Sequence, residues 1–246
     1  MYKKLKQISK RLIPSAIIKR YEKSIRKVIS YYYSGDKFQC NICGFKLSKF
    51  ILLNDDNKLC PNCGSLSRGR KLWSLLEKEI ANKTILHFSP SKSLKEIIES
   101  SNIYKYVSTD YNAEFAANKQ LNIEALNEPD NQFDIIICYH ILEHIDNDIK
   151  AMSELYRVLK PDGLCIIQTP LKEGDIYENS SIKTKAERRI HFGQEDHLRI
   201  YSLKGLMNRL EKVGFVPKQK IFRESLNNRF GFIPKDIVVI AEKPAN

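Results

Sequence analysis

The chain reads as an α/β protein with a mostly parallel sheet, preceded by a small cysteine-bearing module and a basic helix. Three observations predict this. Phe133–Pro170 carries strand, helix and strand signals in succession. Two Cys-x-x-Cys pairs, Cys40/Cys43 and Cys60/Cys63, stand ahead of it. Residues 1–37 hold eleven Lys/Arg against two acids, so a net +9 of the chain's +12 lies in the N-terminal segment.

That first segment, residues 1–37, also has apolar periodicity. Leu5, Ile8, Leu12, Ile13, Ala16, Ile17, Ile25, Val28, Ile29 and Tyr32 fall near one helical face, with Pro14 as a kink or break. A basic amphipathic helix suits an anionic membrane surface or an RNA backbone. A helix packed on the protein's own body, with its lysines solvated, explains the pattern equally well.

The 246 residues allow one full α/β domain plus something small, and 42% hydrophobic residues suffice for a core. No apolar run approaches the ~18 residues that a membrane-spanning helix needs. The basic N-terminus lacks an apolar core and a small-residue cleavage site, so it is a poor secretory signal. The expected location is the cytoplasm, with peripheral contact at a membrane surface as an extension.

Sixteen residues separate Cys43 from Cys60, a spacing typical of four-thiolate zinc sites. Two such hairpins bring four sulfurs around one Zn²⁺ at ~2.3 Å. Gly44 and Gly64 follow the pairs where a tight knuckle needs positive φ. A closed four-sulfur shell has no open position, so the expected role is structural. Two disulfides or a redox pair are the alternatives; a cytosolic chain argues against the first and the paired spacing against the second. The expected zinc ribbon covers residues 38–70, where metal replaces a missing hydrophobic core. Cys138 and Cys165 lie in predicted strands and read as small core residues.

The remainder, 71–246, forms the third expected domain. Asp134–Cys138 is an apolar run with three isoleucines, suited to a strand buried on both faces. Asp146–Lys160 follows with Ile149, Met152, Leu155, Tyr156 and Leu159 at helical spacing. Lys160-Pro161-Asp162-Gly163 breaks that helix, and Leu164–Thr169 is apolar again. The order implies a right-handed parallel crossover, with ligands beyond the carboxyl ends of the strands. That edge carries Tyr139, His140 and Glu143.

The runs FDIIICYHILEHI and AMSELYRVLKPDG resemble those of class I S-adenosylmethionine-dependent methyltransferases, most closely the small stand-alone type. The resemblance spans about Thr84–Lys243. It implies a Rossmann-like, seven-stranded, mostly parallel sheet with an antiparallel last strand, and S-adenosyl-L-methionine as cofactor. The family opens with a strand and a glycine-rich turn. Here Thr84–Phe88 is followed by Ser89-Pro90-Ser91-Lys92-Ser93, and His87 stands where the acid belongs. The chain resembles a zinc-ribbon-bearing subset with a similar His-Phe-x-Pro turn. Serines there can offer backbone N–H groups and hydroxyls to a carboxylate.

The resemblance assigns the other cofactor positions. Asp110, after strand Tyr106–Thr109, would accept both ribose hydroxyls, and Tyr111 would cover the adenine. Asn122 and Ile123 would meet the adenine edge, although the family more often has an acid where Asn122 stands. Ser89 and Pro90 form the turn, and groups near Tyr139 and His140 would meet the methionine end.

Leu171–Leu198 reads as a long irregular, histidine-bearing insertion where an acceptor pocket would form. A helix at Ser202–Val213 ends at Gly214, and Ile237–Ala241 is the final strand. His140 is the first candidate general base, followed by His197 and His191. His144 reads as scaffold, and nothing is spaced to join His191 and His197 in a metal site. The expected reaction is O-methylation of a small molecule or of a glycan or lipid-linked sugar. The alternatives are an RNA methyltransferase that grips phosphates through the tail and ribbon, and a non-catalytic binding protein with a degraded cofactor loop.

Overall fold

The computed structural model describes residues 15–53, 57–111, 117–222 and 227–245, with side chains inside the first helix from residue 21 onward. Of the expected N-terminal apolar face, Leu5, Ile8, Leu12, Ile13 and Pro14 lie outside the described residues, as do the side chains of Ala16 and Ile17. The chain divides into two compact units: Met1–Glu79 with Ser93–Ser100 and Phe222–Asp236, and Ile80–Lys92 with Ser101–Ile221 and Ile237–Asn246.

The first unit opens with α1 (Ser15–Tyr31). Antiparallel β1 (Ser34–Gln39) and β2 (Lys46–Leu47) follow, then antiparallel β3 (Ile51–Leu52) and β4 (Lys58–Leu59). The helices α2 (Ser67–Leu76) and α3 (Lys92–Glu99) complete it. Leu47, Phe50, Ile51, Leu72, Trp73 and Leu76 are buried in it, and Arg70 has no solvent exposure. The guanidinium donates to Phe230 O at 2.7 Å, Ser65 O at 2.7 Å, Lys58 O at 3.0 Å and Gly231 O at 3.1 Å. It also stacks on Phe50, 4.1 Å from the ring centroid. A buried charge is tolerated only when its donors are satisfied, and here one side chain ties Lys58 and Ser65 to residues 230 and 231. Lys71 repeats the device, donating to Asp236 at 2.7 Å.

The second unit is built on β5 (Thr84–Phe88), β6 (Lys105–Thr109), β7 (Phe133–Tyr139) and β8 (Leu159–Gln168), with β12 (Val216–Phe222) and β13 (Asp236–Glu242) at its far edge. The order is β6-β5-β7-β8-β13-β12. The β5/β6, β5/β7 and β7/β8 pairs are parallel and β13 runs antiparallel to β8, as expected. All five residues of β5 are buried, as a strand covered on both faces requires.

Among the described residues this sheet has six strands, one fewer than expected. The candidate seventh is reduced to a single parallel bridge between Thr109 and Lys119. Side chains supplement the backbone bonds there: Asn118 Oδ1 accepts from Ser108 N–H at 3.0 Å, and Thr109 Oγ1 accepts from Leu121 N–H at 3.0 Å, beside Lys119 N–H to Ser108 O at 3.1 Å.

The crossover helix α4 (Asp148–Val158) is shorter than the predicted Asp146–Lys160. Asn147 caps its start by accepting from Lys150 N–H at 3.0 Å. At its end β8 begins at Leu159, since Pro161 cannot continue the helix. Ala151, Met152, Leu155 and Val158 are buried, whereas Ile149 is exposed. Glu154 and Arg157, one turn apart, leave the core face to hold the preceding loop. Glu154 accepts from Leu126 N–H at 2.7 Å, and Arg157 donates to Leu126 O at 2.8 Å and Glu128 O at 2.9 Å.

The insertion expected to be irregular is ordered. It contains β9 (Leu171–Lys172), β10 (Tyr177–Glu178) and α5 (Lys185–Phe192), and β11 (Arg199–Ser202) joins the two strands in a small sheet of order β10-β11-β9. A capping box starts α5: Thr184 accepts from Glu187 N–H and Glu187 accepts from Thr184 N–H at 2.9 Å. Thr184-x-x-Glu187 is the sequence signal for it. The next helix, α6 (Leu203–Val213), is capped by Ser202 and ends on left-handed Gly214, as its sequence implies.

Candidate active site

A cleft of about 480 Å³ opens at the carboxyl ends of β5, β6 and β7. Parallel-sheet topology puts ligand sites at that edge, and the volume suits a bound small molecule. Phe88 and Ser89 line it from β5, and Thr109, Asp110 and Tyr111 from β6. Leu121–Glu124 form one wall; His140, Ile141 and His144–Asp146 form another, with Asp196 from the insertion.

Ser89 has φ 46°, a left-handed conformation that costs a non-glycine residue about 1–2 kcal/mol. It thus adopts backbone geometry that a glycine takes more easily. Its N–H donates to Thr109 O at 2.7 Å, and its hydroxyl donates to Asp110 Oδ1 at 2.6 Å. Both donors expected to face a ligand therefore position the neighbouring strand end and its carboxylate. Asp110 is buried against the cleft, its N–H bonded to Lys119 O at 3.2 Å.

His140 repeats the pattern one strand away. Its φ is 54° and its N–H donates to Gln168 O at 2.7 Å. The ring's Nδ1 lies 3.1 Å from Glu143 Oε1. Left-handed non-glycine residues thus stand at the ends of two adjacent strands, both facing one cleft, and backbone strain of this kind clusters at ligand-binding sites.

Glu143 side-chain atoms are almost wholly buried. Burial raises its carboxyl, but the His140 bond and nearby histidine charge outweigh this and hold it below the usual range. His197, also buried, is lowered by that burial and then by His144, so its imidazole is neutral near pH 7. Its Nδ1 lies 3.2 Å from Phe192 O. His144 Nδ1 lies 3.3 Å from Asp196 O and 3.2 Å from Asp196 Oδ2.

Ser89, Asp110, Tyr111, Asn122, Ile123 and His140 thus come together around the cleft, whereas Pro90 and Tyr139 are not among its lining residues. Asn122 Oδ1 accepts from Glu124 N–H at 3.0 Å, which orients the amide. His191 sits apart, with Nδ1 2.7 Å from Tyr177 Oη. His197 lies behind His144. His144 itself faces the cleft instead of serving as plain scaffold. The sequence placed Glu143 at this edge without a chemical role and read His144 as scaffold, although His-x-x-Glu-His spacing on one turn was the available signal. His87, in the position of the family's acid, is fully buried and paired with Tyr106 Oη at 3.0 Å; burial lowers its pKa to about 3.

In the other unit the four cysteines converge. Cys40 and Cys63 Sγ lie 3.7 Å apart, and Cys43 and Cys60 Sγ lie 3.8 Å apart. A tetrahedron with ~2.3 Å metal–sulfur bonds has edges of ~3.8 Å, so the set fits Zn²⁺. None of the four is in a disulfide. The two hairpins match: Gly44 N–H donates to Cys40 O at 2.8 Å and Gly64 N–H to Cys60 O at 3.0 Å, with φ of 71° and 76°. Cys138 and Cys165 are buried on adjacent strands, where burial raises both thiols.

A family model described as a methyltransferase domain matches residues 60–220. Over 46 residues the chain is 46% identical to a ubiquinone/menaquinone biosynthesis C-methyltransferase, UbiE, of Hydrogenovibrio crunogenus, covering 19% of this chain and 18% of that protein. Over 42 residues it is 40% identical to a ubiquinone biosynthesis O-methyltransferase of Rickettsia bellii, covering 17% and 18%. These matches therefore span less than a fifth of either relative's length. An S-adenosylmethionine-dependent methyltransferase from Mesorhizobium loti superposes with a TM-score of 0.53 at 12% identity, over 72% of this chain and 99% of that one. Likeness at that identity concerns the fold.

Proposed function

The chain belongs to the methyltransferase-domain family, and from that premise we propose that it methylates an oxygen of a small molecule, or of a sugar on a glycan or lipid-linked precursor. The observation that carries this reading is the buried Asp110 carboxylate, held by Ser89 at a strand end in a cleft of cofactor size. S-adenosyl-L-methionine supplies an electrophilic methyl group already attached to a good leaving group. The protein's work is therefore chiefly positioning.

Asp110 accepts the two ribose hydroxyls, Tyr111 covers the adenine, and Asn122 and Ile123 meet its edge. His140 stands at the methyl end. With Nδ1 held by Glu143, its Nε2 is the nitrogen that takes the acceptor's proton, a contribution of ~10²–10⁴-fold. The four-cysteine site takes Zn²⁺ in a structural role.

The helix α1 extends the reading to a membrane-borne acceptor. Tyr21, Ile25 and Val28, spaced i, i+4 and i+7 on this helix, are all exposed, as is Tyr32 in the turn just past its end. An exposed apolar stripe among lysines and arginines suits an anionic lipid surface better than RNA, which offers charge but no apolar phase. No described helix is long and apolar enough to cross a membrane.

Calorimetric titration with S-adenosylmethionine tests the core of the reading. Wild type should bind, and Asp110→Ala should bind ~10–100-fold more weakly, the value of a lost charged hydrogen-bond partner. No binding by the wild type at millimolar ligand refutes the reading. Unchanged affinity in the variant refutes the assignment of Asp110.

A further inference from the structure

We propose that Glu143, His144 and His197 form a site for a divalent transition-metal cation, distinct from the cysteine cluster and placed beside the cleft. One ligand atom from each of the three lies within 4.8 Å of the others. Two imidazoles and a carboxylate make a three-ligand set that leaves positions open on the metal.

The surrounding bonds have the form that metal-binding histidines need. A ligating imidazole typically donates its other N–H to a carbonyl or carboxylate, which fixes the ring and its tautomer. His197 Nδ1 is paired with Phe192 O, and His144 Nδ1 with Asp196. Both rings are held through Nδ1, which makes each Nε2 the coordinating atom of the proposed site.

Glu143 supplies an independent observation. Its Oε1 is paired with His140, while its buried Oε2 has no hydrogen-bond partner among the described residues. An unpaired carboxylate oxygen costs several kcal/mol in a dry interior, and a cation removes that cost. The protein also fixes the ligands rigidly. Leu198 N–H donates to Glu143 O at 2.8 Å, and Arg199 donates to Leu142 O at 3.2 Å and Asp146 O at 3.0 Å. These bonds fasten the turn bearing Glu143 and His144 to the segment bearing His197.

His144 lines the cleft, so an ion here has its open positions within reach of an acceptor. This last step rests on the proposed O-methylation. A hydroxyl or enol oxygen bound to the ion has its pKa lowered, which makes it a better nucleophile at neutral pH. Acceptors with two adjacent oxygens, which can chelate, are the favoured class.

The test uses the full chain with zinc in its cysteine site and weaker metal removed by dialysis. Titration with Co²⁺ should show one further equivalent with ligand-field bands of a nitrogen/oxygen set and no thiolate charge-transfer band. Pulsed electron paramagnetic resonance of the Mn²⁺-loaded wild type should show imidazole nitrogen coupling. Glu143→Gln and His197→Ala should each weaken this equivalent by at least ~10–100-fold, the range for disturbing a metal's shell, while His191→Ala should leave it unchanged.

Absence of the second equivalent, absence of nitrogen coupling in the wild type, or full retention in both variants overturns the proposal. The wild-type spectra decide even if a variant fails to fold. Titration with S-adenosylmethionine on the same samples separates the two readings. Cofactor binding without a second metal removes only the metal site, and metal binding without cofactor binding removes only the methyl-transfer reading.

Discussion

The rings of His144 and His197 meet edge to face, with centroids 4.8 Å apart and planes at 78°. One follows β7 and the other ends the insertion, so the whole of α4 and β8 lies between them in sequence. Arg199 closes that distance by donating to carbonyls of the turn that carries His144. The insertion is thereby part of the cleft wall, not a cover laid over it.

Zinc in the cysteine cluster should hold the first unit together. Metal analysis should find one tightly bound zinc per chain in the cysteine site, and Cys60→Ser should abolish it. Chelation should expose the region up to Leu76 to protease, because a zinc joining the two cysteine hairpins would contribute its binding free energy to the folding of that region. Retention of tight zinc in Cys60→Ser would remove the assignment.

His87 should make stability depend on pH. Its folded pKa, about 3, lies below the unfolded value of ~6.5. Between those values the unfolded chain binds a proton that the folded chain refuses, so stability is full above pH ~6.5 and falls as pH drops toward 3. The contribution approaches ~1.4 kcal/mol per pH unit at most. His87→Gln keeps an acceptor for Tyr106 and cannot take the proton in this range. Urea unfolding from pH 7 to pH 4.5 should show a shallower loss in the variant; parallel curves would mean that His87 titrates normally.

The exposed stripe on α1 should bind lipid. Co-sedimentation with vesicles containing phosphatidylserine should exceed that with neutral vesicles and weaken with salt, since each basic side chain near the surface contributes about 1 kcal/mol. Ile25→Asp and Val28→Asp should each reduce binding about tenfold through lost apolar burial. Equal binding to neutral and anionic vesicles, or no effect of either substitution, would refute the membrane reading.

Local patterns were legible where a short segment carries its own constraint. Three successive isoleucines in β7 must be buried on both faces, Cys-x-x-Cys-Gly hairpins bend only one way, and Gly214 ends α6 because its φ suits no other residue as well. Thr184-x-x-Glu187 carries the same kind of signal for the start of α5, within a segment whose sequence otherwise reads as irregular. The seventh strand was an expectation of the resemblance that local sequence does not carry: beside β6 the described residues form one parallel bridge, Thr109 to Lys119, with the side chains of Asn118 and Thr109 supplying further bonds.

By itself the sequence determined the α/β order, the four-sulfur cluster and the strand ends at which Asp110 and His140 stand. Each of these follows from residue type and spacing within a few turns of chain. Only the tertiary structure decided that Ser89 spends its donors on Asp110 and Thr109, that His144 faces the cleft, and that His197 joins Glu143 and leaves His191 aside. Those choices depend on which distant hydrogen-bond partners buried polar groups find, and that is settled when the insertion folds back onto the turn after β7.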